Sequence, residues 1–455
     1  MADLFKPTSR AKFRLLDPGA GIGSLTDAFL ERCAASDMGC DSLEVVAYEM
    51  DERLHDELGQ TLAAYSDRLR INYQVMGGDF IEHAVNQIQF HQGVKFTHAI
   101  LNPPYKKISS SSPHRHLLRQ LGIETVNLYS AFVALSIALI EKGGQLVAIV
   151  PRSFCNGPYY RPFREFMLQH SALKHIHLFE ARNKAFKDDS VLQENIIILL
   201  ERSGHQGPVT ISTSTDDSFD DLATCTHPFS HIVLPNDPGN VVHIPTSADH
   251  NVVKLSEEIC STLEDTGISV STGPVVDFRL KEYLRDYPQA ETVPLLYPGH
   301  LHGYEVHWPK PDSKKPNAIV ANEVTGKWLF PKGFYCVVRR FTSKEEKRRI
   351  VASVVRPDYF PDSRLLGFEN HLNVFHEHKQ GIPEPLAYGL MTYLNSTAVD
   401  QSFRRFSGHT QVNATDLKSM LYPNREALIK LGEWAMQQQE STQEMVDTQL
   451  ESIMG

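Results

Sequence analysis

Residues 15–25 read Leu15-Leu-Asp-Pro-Gly-Ala-Gly-Ile-Gly-Ser-Leu25. The stretch leaves an apolar strand, turns on Gly19, Gly21 and Gly23, and leads into a helix. Glycines at such a turn let the backbone fold tightly and approach a ligand, while amides at the helix start face it. The spacing differs from the Gly-x-Gly-x-x-Gly of nicotinamide-binding turns. Asp17 stands just ahead of the glycines, where a carboxylate repels phosphate. It suits a cationic ligand portion, such as the amino group of a methionine moiety. The run therefore points to S-adenosylmethionine rather than to a dinucleotide.

Outward from this turn, short apolar runs alternate with helical patterns over the first 200 or so residues. Strands are expected at Phe13-Asp17, Glu44-Glu49, Asn72-Met76, Phe96-Leu101, Gln145-Val150, Ile176-Phe179 and Glu194-Leu200. Helices are expected at Ser24-Ala35, Arg53-Tyr65, Leu128-Glu141 and Tyr160-Gln169. Such alternation predicts an α/β domain with a mostly parallel, doubly wound sheet over residues 1–204. Two further acids fall just after strands. Glu49 ends the second, from which a carboxylate accepts hydrogen bonds from ribose hydroxyls. Asp79, in Gly77-Gly-Asp-Phe80, follows the third and suits a cofactor's adenine amine, with Phe80 beside it.

Asn102-Pro103-Pro104-Tyr105 follows the strand Phe96-Leu101. An adenine N6 amine is a poor nucleophile, because its lone pair is delocalised into the ring. Two acceptors placed on its two N–H bonds draw electron density back to nitrogen. The Asn102 side-chain carbonyl and the Pro103 backbone carbonyl form such a pair. The prolines stiffen the loop that carries them. Tyr105 is suited to stack on a base, which must leave the duplex before its amine is reachable.

These runs resemble the amino-methyltransferases of DNA. Their order, cofactor motif first, then Asn-Pro-Pro-Tyr, then a long C-terminal region, resembles the gamma class of adenine-N6 methyltransferases. Asn102-Lys107, Asn127-Phe132, Gly143-Gly157 and Asp188-Ile198 look like the modification enzymes of PstI-type restriction systems. The resemblance implies a seven-stranded, Rossmann-like S-adenosylmethionine-dependent domain followed by a mixed α+β target-recognition domain, with DNA in the cleft between them. It implies base flipping, adenine-N6 methylation of double-stranded DNA, and a separate cognate endonuclease. Asp17, Glu49, Asp79 and Asn102 to Tyr105 take the roles argued above. Phe186, in Asn183-Lys-Ala-Phe-Lys-Asp-Asp189, falls where the family sets an aromatic against the flipped base; the plainer reading is a core phenylalanine. The sequence departs from the family before the glycine run, where 14 residues precede Leu15 and Phe5-Lys-Pro-Thr8 is a remnant of the usual segment.

At 455 residues the chain is long enough for two domains. A Ser/Thr/Asp-rich stretch near Ser212-Asp220 and Pro235-Asn-Asp-Pro-Gly239 mark residues 205–248 as a connecting segment. Residues 249–423 are expected to form the recognition domain, and 424–455 a helical segment. The six cysteines are scattered without a Cys-x-x-Cys pair, which excludes a zinc-ribbon or disulfide framework and fits a cytoplasmic protein. No apolar stretch is long enough to span a membrane.

A formal net charge of -10 argues at first against a nucleic-acid partner, but local clustering matters more. Arg339-Arg-Phe-Thr-Ser-Lys-Glu-Glu-Lys-Arg-Arg349 holds six cations against two acids. Arg339, Arg340, Lys344, Lys347, Arg348, Arg404 and Arg405 are expected at phosphates, with Gln411 and Asn413 at base edges. The plainer alternative is a solvated helix face with paired charges. Ser269-Arg279 and Pro294-His300 resemble recognition domains more weakly. His371, His376 and His378 match no zinc spacing, so no metal is expected and the loop is expected to be DNA-facing or structural.

Three rivals share part of this signature. A protein-glutamine methyltransferase also uses Asn-Pro-Pro-Tyr, but carries a helical domain before the glycine run. An RNA methyltransferase shares the motif too. A catalytically inactive DNA-specificity subunit is opposed by the intact Asp17, Gly19, Gly21, Asn102 and Tyr105. Among amines, Asn rather than Ser at position 102 favours adenine N6 over cytosine N4.

Overall fold

The computed structural model describes residues 1–35, 37–93, 95–179, 194–235, 237, 239–245, 259, 261–311, 313–342, 346–407, 411–438 and 441–454. The chain divides into two compact units, Met1–Ala248 and Asp249–Gly455.

The first unit is built on one sheet. Its strands are β1 (Lys12–Pro18), β2 (Ser42–Tyr48), β3 (Ile71–Met76), β4 (Phe96–Leu101), β5 (Ile140–Pro151), β6 (Ser171–Phe179), β7 (Asn195–Arg202), β8 (Val209–Ser214) and β9 (Ala223–His227). They lie in the order β3-β2-β1-β4-β5-β7-β6-β8-β9. The first five are parallel, and β7 runs antiparallel between β5 and β6. Between β1 and β4 the strand order reverses, which is where open α/β sheets hold ligands beyond the carboxyl ends of their strands.

Strands buried on both faces explain the apolar runs. On one face Leu15, Val45 and Ala47 pack with Phe29 and Leu30 of α1 (Ser24–Ala34) and Leu58 and Leu62 of α2 (His55–Ala63). On the other, Leu16, Val46 and Leu101 pack with α3 (Phe80–Gln89), α4 (Pro113–Gln120), α5 (Leu128–Leu139) and α6 (Arg161–His170). The doubly wound α/β expectation is thus met. Phe5 is buried at 1% against Phe29 and His98, so the short N-terminal segment belongs to the first of these cores.

The sheet has nine strands where seven were expected. Residues 205–248, read as a connecting segment, supply β8 and β9, paired on to β6. Serine and threonine suggested a linker, yet in β8 they are buried partners of histidines. Ser212 Oγ sits 2.7 Å from His175 Nε2 and 2.8 Å from His177 Nδ1. Both rings are partly or fully buried on β6, and burial moves both imidazoles down to about 4, so they stay neutral near pH 7.

The second unit holds a four-stranded antiparallel sheet, ordered Ser269–Thr272, Leu372–His376, Tyr335–Arg339 and Ala352–Val355. A mixed five-stranded sheet lies in the same unit, with Thr292–Leu296 beside Leu365–Phe368. Helices Glu384–Leu394 and Arg425–Met436 close on each other at Gly389 and Gly432. A Cβ at Gly389 would stand 1.8 Å from the Leu428 carbonyl oxygen, and one at Gly432 1.7 Å from that of Pro385. The two backbones therefore touch. Among the described residues no helix is long and apolar enough to cross a membrane.

Candidate active site

All the sequence-predicted residues of the first unit that the structure describes stand at the carboxyl edge of its parallel strands. The turn after β1 hangs from β2: Gly19 and Ala20 both donate to the Tyr48 carbonyl at 2.8 Å. Gly19, Gly21 and Gly23 have φ of +83°, +58° and +91°, values that side chains resist. Gly23 is packed from outside, since a Cβ there would meet Leu58 Cδ1 at 2.9 Å. Gly21 faces open space, with nothing within 4 Å of an added Cβ. Glu49 braces this open turn, accepting from Gly21 N and Asp51 N at 2.8 Å each. Ile22 and Met50, on either side of that brace, are 43% and 65% exposed. Large apolar side chains left in water beside an open glycine turn are what an apolar ligand face covers.

Asp17 is fully buried at the end of β1. Its Oδ2 accepts from Thr26 Oγ1 at 2.6 Å, while Oδ1 meets no hydrogen-bond partner among the described residues. Burial pushes the carboxyl up to about 7, offset in part by Thr26 and reinforced by the Glu49 charge. A buried acceptor without a donor is what a cationic ligand group completes.

Asp79 begins α3 as its N-cap, with Oδ1 accepting from Ile81 N at 2.8 Å and Glu82 N at 3.2 Å. Its Oδ2 accepts from His114 Nε2 at 2.8 Å. Phe80 is buried at 3%, packed on Tyr48 and Phe132. Sequence reasoning missed His114, and also His55, whose Nε2 donates to the Glu49 carbonyl at 2.8 Å. Two of the three carboxylate residues assigned to the ligand thus have a histidine bonded to them, Asp79 at its side chain and Glu49 at its backbone.

The loop after β4 leaves Asn102 and Pro104 exposed and buries Pro103. The Tyr105 hydroxyl is shared between Asn102 Oδ1 at 3.1 Å and the Ile149 carbonyl at 3.3 Å. Oδ1 keeps a second lone pair for another donor. Behind Tyr105 stands Tyr129, edge-on at 6.1 Å between ring centres, then Tyr160 at 6.0 Å. Asn127 Nδ2 donates to the Tyr160 hydroxyl at 2.5 Å. This tyrosine row fixes the loop from beneath and was not foreseen, because its members come from three separate segments.

Phe186 and Lys344 lie outside the described residues. In the second unit, Arg340 Nη2 donates to Gln411 Oε1 at 3.3 Å, so two predicted DNA contacts are neighbours. Other predicted cations brace the fold. Arg404 binds Asp400 at 2.7 Å and the Glu346 carbonyl at 2.8 Å, and Arg348 binds the Asn395 carbonyl. Arg339 lies 3.7 Å from Glu346, and burial lowers the pKa of Arg405. Lys347 is exposed. Asn413 caps the helix Ala414–Ser419, its N and Nδ2 donating to Asp416 Oδ2 at 2.9 and 3.2 Å.

Comparison with known proteins bears on these features. Residues 51–186 match the family model of the Eco57I restriction-modification methylase. Over 461 aligned residues the chain is 51% identical to the type II methyltransferase M.BsuBI of Bacillus subtilis, covering all of this chain and 91% of that one. The chain belongs to the type II methyltransferases of restriction–modification systems. The methyltransferase is also 43% identical to M.PstI of Providencia stuartii, over 94% of this chain and 85% of the relative. Its fold resembles that of the type IIL restriction-modification enzyme MmeI, solved in complex with DNA. That likeness has a TM-score of 0.55 at 10% identity, covering 97% of this chain and 68% of that one.

Proposed function

We propose that the methyltransferase moves the methyl group of S-adenosylmethionine to the N6 amine of adenine in double-stranded DNA, taking the base out of the helix to do so. The first unit carries the chemistry and the second recognises the sequence. A separate cognate endonuclease cuts the same sequence when it is unmodified. The observation that carries this reading is the Asn102-Pro-Pro-Tyr105 loop, with its amide exposed, at the carboxyl end of β4 beside the glycine turn.

The residues fit the cofactor. Asp17 Oδ1 lacks a donor that an ammonium group supplies. Glu49, bonded to Gly21 at the open turn, is suited to ribose hydroxyls, and Asp79, after β3 at the start of α3, to an adenine amine. When bound, S-adenosylmethionine supplies a methyl carbon activated by the sulfonium. Asn102 Oδ1 and the Pro103 carbonyl accept the two N–H bonds of the target amine, which concentrates electron density on nitrogen. Neither acceptor is basic enough to take a proton first. With the cofactor bound, the amine would take the methyl carbon with both hydrogens in place while the carbon–sulfur bond breaks to leave a neutral thioether, and would then release one proton to solvent. Tyr105, held by the Tyr129–Tyr160 row, offers a ring face to the extruded base.

The test is transfer of labelled methyl to bacterial genomic DNA, digested to nucleosides, with wild type beside Asn102→Ala. Label in N6-methyladenine that falls by at least about a hundredfold in the variant is expected. Label in N4-methylcytosine, or none in DNA with cofactor still bound, would overturn the assignment.

A further inference from the structure

One surface of the second unit gathers exposed aromatics, arginines and a histidine whose ring is fixed from below. Asn370 N donates to the Val275 carbonyl at 2.9 Å, and Val275 N to that of Phe368 at 3.1 Å. These bonds lay residues 275–279 beside 369–371. Arg340 N donates to the His371 carbonyl at 2.9 Å, and Val412 N to the Arg340 carbonyl at 2.7 Å. Four segments distant in sequence thus share one platform.

On this platform Phe278 is 63% exposed and Phe341 45%. Each carries a guanidinium near its ring, Arg279 at 5.5 Å and Arg340 at 5.9 Å. The Phe341 ring is 4.9 Å from that of His371. His371 is itself held by Glu369, a fully buried carboxylate that accepts from both His371 Nδ1 and His371 N. The imidazole is oriented while Nε2 makes no hydrogen bond among the described residues. Arg340 Nε and Asn370 Oδ1, in the same place, are buried and also lack a partner among the described residues.

Stability does not ask for this arrangement. Burying a carboxylate to hold a half-exposed ring costs desolvation, and exposed phenylalanines contribute nothing to a core. Positioning explains it: an imidazole of fixed orientation and an amide, Gln411, offer hydrogen bonds to base edges. The phenylalanine faces meet a thymine methyl or a base step, and the guanidiniums meet phosphates.

Resting on the proposed DNA reading, we infer that Phe278, Phe341 and His371, with Arg279, Arg340 and Gln411 beside them, form the patch that reads the recognition sequence in duplex DNA. Glu369 is a positioning residue behind His371. The experiment uses the full-length chain. Wild type, His371→Ala, Glu369→Gln, Phe278→Ala and Phe341→Ala are expressed in a host, and the methylated sites in its DNA are mapped by single-molecule sequencing. Purified proteins are checked for binding of S-adenosylhomocysteine and for melting temperature.

Wild type should mark one short sequence. The Ala variants should bind S-adenosylhomocysteine within about twofold of wild type, yet methylate that sequence at least about tenfold more slowly. His371→Ala should accept extra bases at one position, while Glu369→Gln, which still accepts from Nδ1, keeps the wild-type sequence. If all three Ala variants mark the same sequence at the wild-type rate, the inference is overturned. Should His371→Ala fail to fold, the two exposed phenylalanines decide alone. If wild type binds S-adenosylhomocysteine but marks no DNA, it is the underlying DNA reading that fails.

Discussion

At Asp17 a carboxyl is sealed on β1 with one oxygen unanswered among the described residues, so ionising it opposes folding. Its pKa rises from an ordinary 3.8 to about 7. The native state therefore holds a proton between about pH 4 and 7 that the unfolded chain has released. Stability contributed by this group falls as pH rises through that window and stays low above it. Asp17→Asn should match wild type near pH 4 and exceed it at pH 8 by up to on the order of 4 kcal/mol. The same variant should lose at least about tenfold in S-adenosylmethionine affinity, since an amide cannot answer an ammonium group as a carboxylate does. Melting curves at several pH values and a cofactor titration check both; a variant less stable at pH 8 would refute the buried-charge account. His114 has a milder role. Removing it leaves Asp79 Oδ2 without its donor, so His114→Ala should weaken S-adenosylhomocysteine binding about fivefold with kcat at saturating cofactor unchanged. Calorimetric titration reads the first and initial rates the second. Asp17, Glu49 and Asn102 were legible because each sits within a few residues of a strand end. His114 and the tyrosine row were not, because the fold alone brings them in. Asn413 shows a local signal overlooked: an Asn with an Asp three residues on is a helix start, and that is how it is used.

Among the elements, the strands with apolar runs were the most legible. All seven expected strands occur, although β5 begins at Ile140 where Gln145 was expected and β6 at Ser171 where Ile176 was. Polar and glycine-rich openings hid those strand ends. β8 was hidden entirely, because its buried hydroxyls are paid for by hydrogen bonds to β6 that no single segment reveals. Residues 424–455 were read as helical, as Arg425–Met436 and Gln443–Met454 are, but the close packing at Gly389 and Gly432 was silent, since glycine in a helix interior usually reads as weakness. Here it permits backbone contact. Gly389→Ala or Gly432→Ala forces a methyl into a carbonyl oxygen and should destabilise the protein by at least about 3 kcal/mol. Thermal unfolding would then shift by roughly 6–12 °C. A shift below about 2 °C would mean the helices separate freely.

Taken as one electrostatic object, the chain has 55 acidic and 45 basic side chains and should repel DNA at long range. Binding then depends on where cations remain available. Of the predicted contacts, Arg404 and Arg348 are bound into the fold, and Arg339 lies near Glu346. Among the described cations of the cluster, Lys347 is the exposed one. A phosphate contact made there releases about one counterion on binding. Lys347→Ala should therefore lower the slope of log K against log salt by about 0.9 while leaving the preferred sequence untouched. His371→Ala should do the reverse, relaxing sequence preference with little change in slope. Fluorescence anisotropy of a duplex carrying the mapped site, repeated from low to physiological salt, separates the two behaviours. An unchanged slope for Lys347→Ala would return that lysine to the solvated surface, and the backbone contacts would have to be sought on other cations.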